Sequence, residues 1–224
     1  MVKNVITGGF DKSRYVLICI HSNKGVKKMN KKKSTLMKIS QTAVMAALCF
    51  VVFTFLQIKI PTPGGDASSL HLGNAVCVLA ALMLGGVYGG LAGAIGMGIA
   101  DIMDPIYITV APKTFILKLC IGLITGFVAH RVAKINQSTD KKYILKWSTL
   151  AAAAGLGFNI IADPLVSYFY KMIIFGQPQK MAEVLAKLSA MTTFVNAVVS
   201  IILVAFLYNA LRPVLIRSGV IVKE

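Results

Sequence analysis

LGGVYGGLAGAIGMGIADIMDPIYITVAPKTFILK, residues 84–118, decides how the chain is to be read. Seven of the fourteen residues from Gly85 to Gly98 are glycine, yet the rest of the run is apolar, so it is not a solvated linker. Gly85, Gly89 and Gly93 recur every fourth residue, and Gly86, Gly90, Ala94 and Gly98 do the same one step along. On a helix these make two adjacent smooth ridges, which let backbones approach closely where lipid offers no hydrophobic drive for packing. The run ends in Asp101, Asp104 and Pro105. After a short loop, Pro112 takes the first position of a new apolar helix, where its missing N–H costs nothing. That helix carries Lys113 and Lys118, and charge at such depth needs a partner or a function.

Composition places the rest of the chain in the same setting. Hydrophobic residues make up 56% and charged residues 14%, and the mean hydropathy of +0.74 exceeds that of soluble domains. The formal charge of +16 does not point to nucleic acid, because the lysines and arginines stand in short blocks between apolar runs. Cys19, Cys49, Cys77 and Cys120 stand alone, without a CxxC pair or a histidine at ligand spacing, and read as small packing residues.

Apolar runs of membrane-spanning length predict six crossings. The first, Leu36–Gln57, follows a lysine block and carries the small pair Ala43 and Ala47. Residues 58–74, rich in proline and glycine, read as an outer loop, with Ser68 or Ser69 placed to cap a second span that begins near His71. The glycine-rich third span runs from Gly86 to about Ile102 and the fourth from Lys113 to Arg131. The fifth runs from about Trp147 to Tyr170 and the sixth from Leu188 to Leu211, with an outer segment between them. With both termini inside, eighteen of the 24 lysines and arginines fall on the inner side, the bias that cytoplasmic segments show. Residues 1–28 read as a disordered or mis-called extension, with Met29 a second plausible start. Residues 29–217 form the membrane domain and 218–224 a cytoplasmic tail.

Catalytic patterns are lacking. There is no GxxxxGK[ST] loop to cradle phosphates. The only three histidines, His21, His71 and His130, lie far apart in sequence, and no HExxH is present. The chain therefore does not read as an enzyme, and no metal or cofactor is expected in it. Instead, polar stripes cross apolar helices. Lys118 lies about 9 Å below the outer start of its helix, with Thr114 one turn above it. Asn159, Asp163 and Ser167 repeat at four-residue spacing on the fifth helix, and Thr192, Asn196 and Ser200 do so on the sixth. Such stripes can line one cavity for a compact polar ligand; equally, a Lys118 to Asp163 ion pair would simply tie helices together. Asp101, Asp104 and Tyr107 read either as a lid with its hinge or as ordinary loop caps.

The AVMAA segment of the first helix, the HLGN that opens the second, the LGGVYGGLAGAIGMGIAD run and the following APKTFILK together resemble the substrate-binding S components of energy-coupling factor (ECF) vitamin transporters. The similarity is greatest to the riboflavin-type branch and covers about Met29 to Arg217. The resemblance implies an all-α integral membrane protein, with six transmembrane helices in the compact bundle of the S-component fold. It also implies a vitamin, either riboflavin or a related compound such as hydroxymethylpyrimidine or pyridoxine. The implied partners are a transmembrane coupling subunit and two ATP-binding cassette ATPases that hydrolyse the ATP, with docking falling on Ala43 and Ala47. The expected binding residues, Lys118, Thr114, Asn159, Asp163, Asn196 and Thr192, follow from spacing and depth. A rival reading is a solitary carrier or small channel that uses Lys118 and Asp163 as a charge relay.

Overall fold

The computed structural model describes residues 35–63 and 66–218. The expected extension over residues 1–28 lies outside the described residues, as does all of the expected tail except Ser218. From Ser40 onward the chain forms one compact unit. Six helices carry it: α1 Thr35–Phe55, α2 Gly73–Leu84, α3 Gly86–Met103, α4 Ala111–Gly126, α5 Lys141–Ile173 and α6 Gln179–Arg217. Five are long and apolar enough to cross a membrane, α4 together with its flanking turns, and α2 is a shorter apolar helix. Large apolar side chains remain exposed along them, among them Val51, Phe55, Ile116, Ile161, Phe194, Ile202 and Phe206. In a bilayer those surfaces face lipid.

Both glycine ridges of α3 are consumed inside the bundle. On the first ridge, a Cβ added at Gly89 would overlap the Ala81 backbone of α2, and one at Gly93 would overlap Cys77. On the second, Gly90 meets Gly122 of α4 backbone to backbone, and Gly86 meets Gly126 in the same way. Gly96 lies against Ala46 of α1. Gly85, between α2 and α3, has φ 94° and ψ 166°, a conformation that only glycine adopts without strain.

The outer loop expected over 58–74 is instead a β-hairpin. Strand β1, Gln57–Thr62, pairs antiparallel with β2, Asp66–His71, from Gln57 opposite His71 to Thr62 opposite Asp66. Proline and glycine there do not prevent strands. Gly64 and Gly65 fall between the two strands, and Pro61 sits in a two-stranded ribbon where each strand has a free edge. A lone hairpin is marginal in water, and this one is fixed by Asp104, just after α3, and by side chains from α6. Neither serine caps α2, whose first residue follows Leu72 with no side-chain cap; Ser68 and Ser69 bond to α6 instead.

The last two helices are longer than the expected spans. The outer segment foreseen between them is mostly helix, because MAEVLAK consists largely of good helix formers, and charge does not break a helix. At the end of the bundle away from the hairpin, α4 continues as a wide π turn, Phe127–Val132. There the buried Arg212 of α6 donates to the Ile135 carbonyl at 2.6 Å. Cys49 and Cys77 are buried free thiols.

Candidate ligand-binding site

At the hairpin end of the bundle, α4, α5 and α6 enclose a cavity with the start of α2, the end of α3 and the hairpin. The α4 wall carries Lys113, Thr114 and Lys118. Asn159, Asp163 and Ser167 come from α5, and Thr192, Thr193 and Asn196 from α6. All six residues expected to bind a ligand thus border one space. Four-residue spacing is what aligns them, since it keeps each stripe on a single helical face.

The ion pair differs from the expected one. Asp163 Oδ1 accepts from Lys113 Nζ at 3.0 Å, and Lys113 also donates to Ser167 Oγ at 2.7 Å. Asp163 Oδ2 accepts from Ser189 Oγ at 2.6 Å and from Thr193 Oγ1 at 2.9 Å. Depth explains the change of partner. Lys113 stands at the hairpin end of α4, level with Asp163 of α5, whereas Lys118 is five residues further along, or about 7.5 Å. Lys118 is buried and lines the cavity wall below the pair.

The hairpin closes the cavity through α6. The His71 N–H donates to Asn196 Oδ1 at 3.0 Å, and Asn196 Nδ2 donates to the Ser69 carbonyl at 2.9 Å. Ser68 Oγ and Thr192 Oγ1 share a hydrogen bond of 2.6 Å. On its other side, Lys59 of β1 pairs with Asp104 and stands 5.5 Å from the centre of the Tyr107 ring. Asp104 therefore holds the hairpin to the end of α3, and Tyr107 lines the cavity. Asp101 does not belong to the loop. It is buried in the last turns of α3 and forms part of the cavity wall.

Spacing alone did not select His71, Asn74, Thr62, Ser189 or Phe53, which also line the cavity. His71 packs edge-on against Phe53, with ring centres 4.7 Å apart. Burial pushes its imidazole down to about 3, and the nearby Lys118 ammonium adds to the shift, so the ring is neutral at physiological pH. Four buried atoms on this wall have no hydrogen-bond partner among the described residues: Thr62 Oγ1, His71 Nδ1, Asn74 Oδ1 and Asn159 Oδ1. The signal available for Asn74 and His71 was their polar character beside an apolar helix start, and for Ser189 its place one turn before Thr193. No three or more His, Cys, Asp or Glu are grouped to hold a metal ion among the described residues. On α1, Ala43 and Ala47 lie on the exposed face with Val44 and Leu48, away from the buried Met45, Ala46 and Cys49.

Helices long and apolar enough to cross a membrane, packed around a polar cavity, define a multi-pass membrane protein. The sequence model of the ECF-type riboflavin transporter S component matches residues 33–213, and the chain belongs to that family. It is thus a multi-pass membrane protein of a transporter family, not of a family of enzymes. No curated protein sequence and no solved structure matches the chain.

Proposed function

We propose that this chain is the high-affinity substrate-binding subunit of an ECF-type importer for a water-soluble vitamin, riboflavin or a related compound such as hydroxymethylpyrimidine or pyridoxine. The observation that carries the reading is the set of buried side-chain atoms on the cavity wall that have no hydrogen-bond partner among the described residues. Each unsatisfied buried group costs about 1–3 kcal/mol. Four on one wall are therefore best accounted for by a ligand that completes them. Lys118, Thr114, Asn159, Asn196 and Thr192 would hold it, with Asp163 fixing Lys113 and α6 in place.

Arg131 and Lys134, between α4 and α5, and Lys141, Lys142 and Lys146, in the first turns of α5, lie at the end away from the cavity. The inside-positive bias supports cytoplasmic termini in a cell membrane and a cavity that faces outward. Nothing in the chain suits ATP hydrolysis, so energy would come from two ATP-binding cassette ATPases through a transmembrane coupling subunit docked on Ala43 and Ala47. Import would then proceed by tilting of the whole subunit, driven by differential binding of partners to its two orientations. A charge relay between Lys118 and Asp163 is disfavoured, because Asp163 is held by Lys113, Ser189 and Thr193. Reconstitution in liposomes tests this directly. Vitamin uptake should require the coupling subunit, both ATPases and ATP, and uptake by the chain alone would overturn the reading.

A further inference from the structure

A groove that shares no residue with the ligand cavity runs between α5 and α6, from Leu145 to Thr149 on one side and from Ile201 to Ala210 on the other. The stretch from Ile201 to Ala210 covers about 13.5 Å along the helix axis, close to half of a hydrocarbon core about 30 Å thick. The groove is therefore about one leaflet long. Leu145, Ile202 and Phe206 stand exposed along it. Its two polar side chains are turned to their own helices: Thr149 Oγ1 donates to the Leu145 carbonyl at 2.8 Å, and Asn209 Nδ2 donates to the Ala205 carbonyl at 2.7 Å. With those donors spent, the walls suit hydrocarbon and not a polar solute.

One end of the groove is cationic. Lys141 lies four residues before Leu145 and Lys142 three, so both fall on the face of α5 that carries Leu145 and Thr149, one turn beyond the groove. Lys146 follows Leu145 directly. All three lysines are exposed, and none of them forms an ion pair among the described residues. Asp140, the carboxylate beside them in sequence, caps α5 by accepting from the Lys142 N–H at 2.9 Å. Lysine stems can lie along apolar surface while their ammonium groups reach the headgroup level. An apolar trough one leaflet long that ends in three lysines has the pattern of an acyl chain joined to a phosphate.

We propose that this groove holds an acyl chain of an anionic phospholipid, with the phosphate against Lys141, Lys142 and Lys146. The site does not depend on which solute the cavity captures. A zwitterionic lipid with the same chains fills the trough equally well, but its headgroup cation offsets its phosphate. Preference for net negative charge is thus the signature of the site.

The test uses the full chain in detergent with dioleoyl phosphatidylglycerol, dioleoyl phosphatidylcholine and glycerol 3-phosphate, the last a headgroup without chains. Bound molecules are read by native mass spectrometry, and affinities by titrating the shift of the unfolding midpoint. Phosphatidylglycerol should bind roughly tenfold or more tightly than phosphatidylcholine, and glycerol 3-phosphate should give no shift. Changing Lys141, Lys142 and Lys146 together to glutamine should bring the two lipids to within about threefold of each other. Ala210→Phe, on the exposed wall of the groove, should weaken both lipids and leave their ratio unchanged. Equal binding of the two lipids, a preference that survives the lysine changes, or binding unmoved by Ala210→Phe would overturn the proposal. Glycerol 3-phosphate binding as tightly as phosphatidylglycerol, or a lipid-free dimer that Ala210→Phe abolishes, would overturn it too, by giving the site to a free phosphate compound or to a second copy of the chain.

Discussion

Lys113 Nζ lies 3.0 Å from Asp163 Oδ1, and the pair joins α4 to α5 at the level where α6 brings Ser189 and Thr193 to the other carboxylate oxygen. Three helices therefore meet at one carboxylate. Removing it leaves the half-buried Lys113 ammonium without compensation. Asp163→Leu should lower stability by about 3–5 kcal/mol, and Lys113→Met combined with Asp163→Leu should recover most of that loss. Thermal unfolding in detergent decides the matter: a double variant no better than the single would show that the pair is not the source of the loss.

Two asparagines on the cavity wall should behave differently. Asn196 bonds twice to the hairpin, so Asn196→Leu should cost about 1–3 kcal/mol of stability as well as ligand affinity. Asn159 Oδ1 has no hydrogen-bond partner among the described residues. Asn159→Leu should leave the unliganded protein as stable as before, or more so, while weakening ligand binding about tenfold or more. Titration calorimetry set beside unfolding midpoints separates the two.

His71 gives the hairpin a pH dependence of defined sign. Its imidazole is depressed to about 3 in the fold, against about 6.5 in an unfolded chain. Between those values the unfolded state binds the extra proton, so stability rises with pH. The contribution should be complete above about pH 6.5 and should drain away as pH falls toward 3. Unfolding midpoints measured from pH 4 to 8 should show this slope, and His71→Gln should flatten it.

Gly85 turns the chain from α2 into α3 with positive φ and with open space around its Cα. The restriction there is conformational and not steric. Gly85→Ala should destabilise by about 1–3 kcal/mol. The Gly122→Leu exchange should do more harm, because its side chain would meet the Gly90 backbone. Expression and unfolding of the two variants rank the effects.

Ala43 and Ala47 share the exposed face of α1. Replacing either with tryptophan leaves the cavity untouched, so vitamin affinity should stay within about twofold of the parent, since surface changes of this kind move stability little. Uptake by the assembled transporter should be lost. Titration and uptake assays on one preparation would separate docking from binding.

Much of this fold was legible in the sequence. The two glycine ridges of residues 85–98 announce close helix contacts, and α2 and α4 are where those contacts are made. Four-residue polar stripes likewise located the cavity wall on α4, α5 and α6. The hairpin was not legible, because the proline and glycine of residues 58–74 signal an irregular loop unless the partner strand is known. Its stability comes from Asn196, Thr192 and Asp104, more than thirty residues distant in sequence. The choice of Lys113 over Lys118 as partner for Asp163 depends on depth, which periodicity registers poorly when two lysines lie five residues apart.

Where α3 meets α2 and α4, glycine stands against backbone at Gly86, Gly89 and Gly90, and against the Cys77 side chain at Gly93. A side chain larger than hydrogen at Gly86, Gly89 or Gly90 would drive α3 away from a neighbour. These three helices thus form a keel, and what can vary at the cavity is the set of side chains that they, the hairpin, α5 and α6 turn toward it.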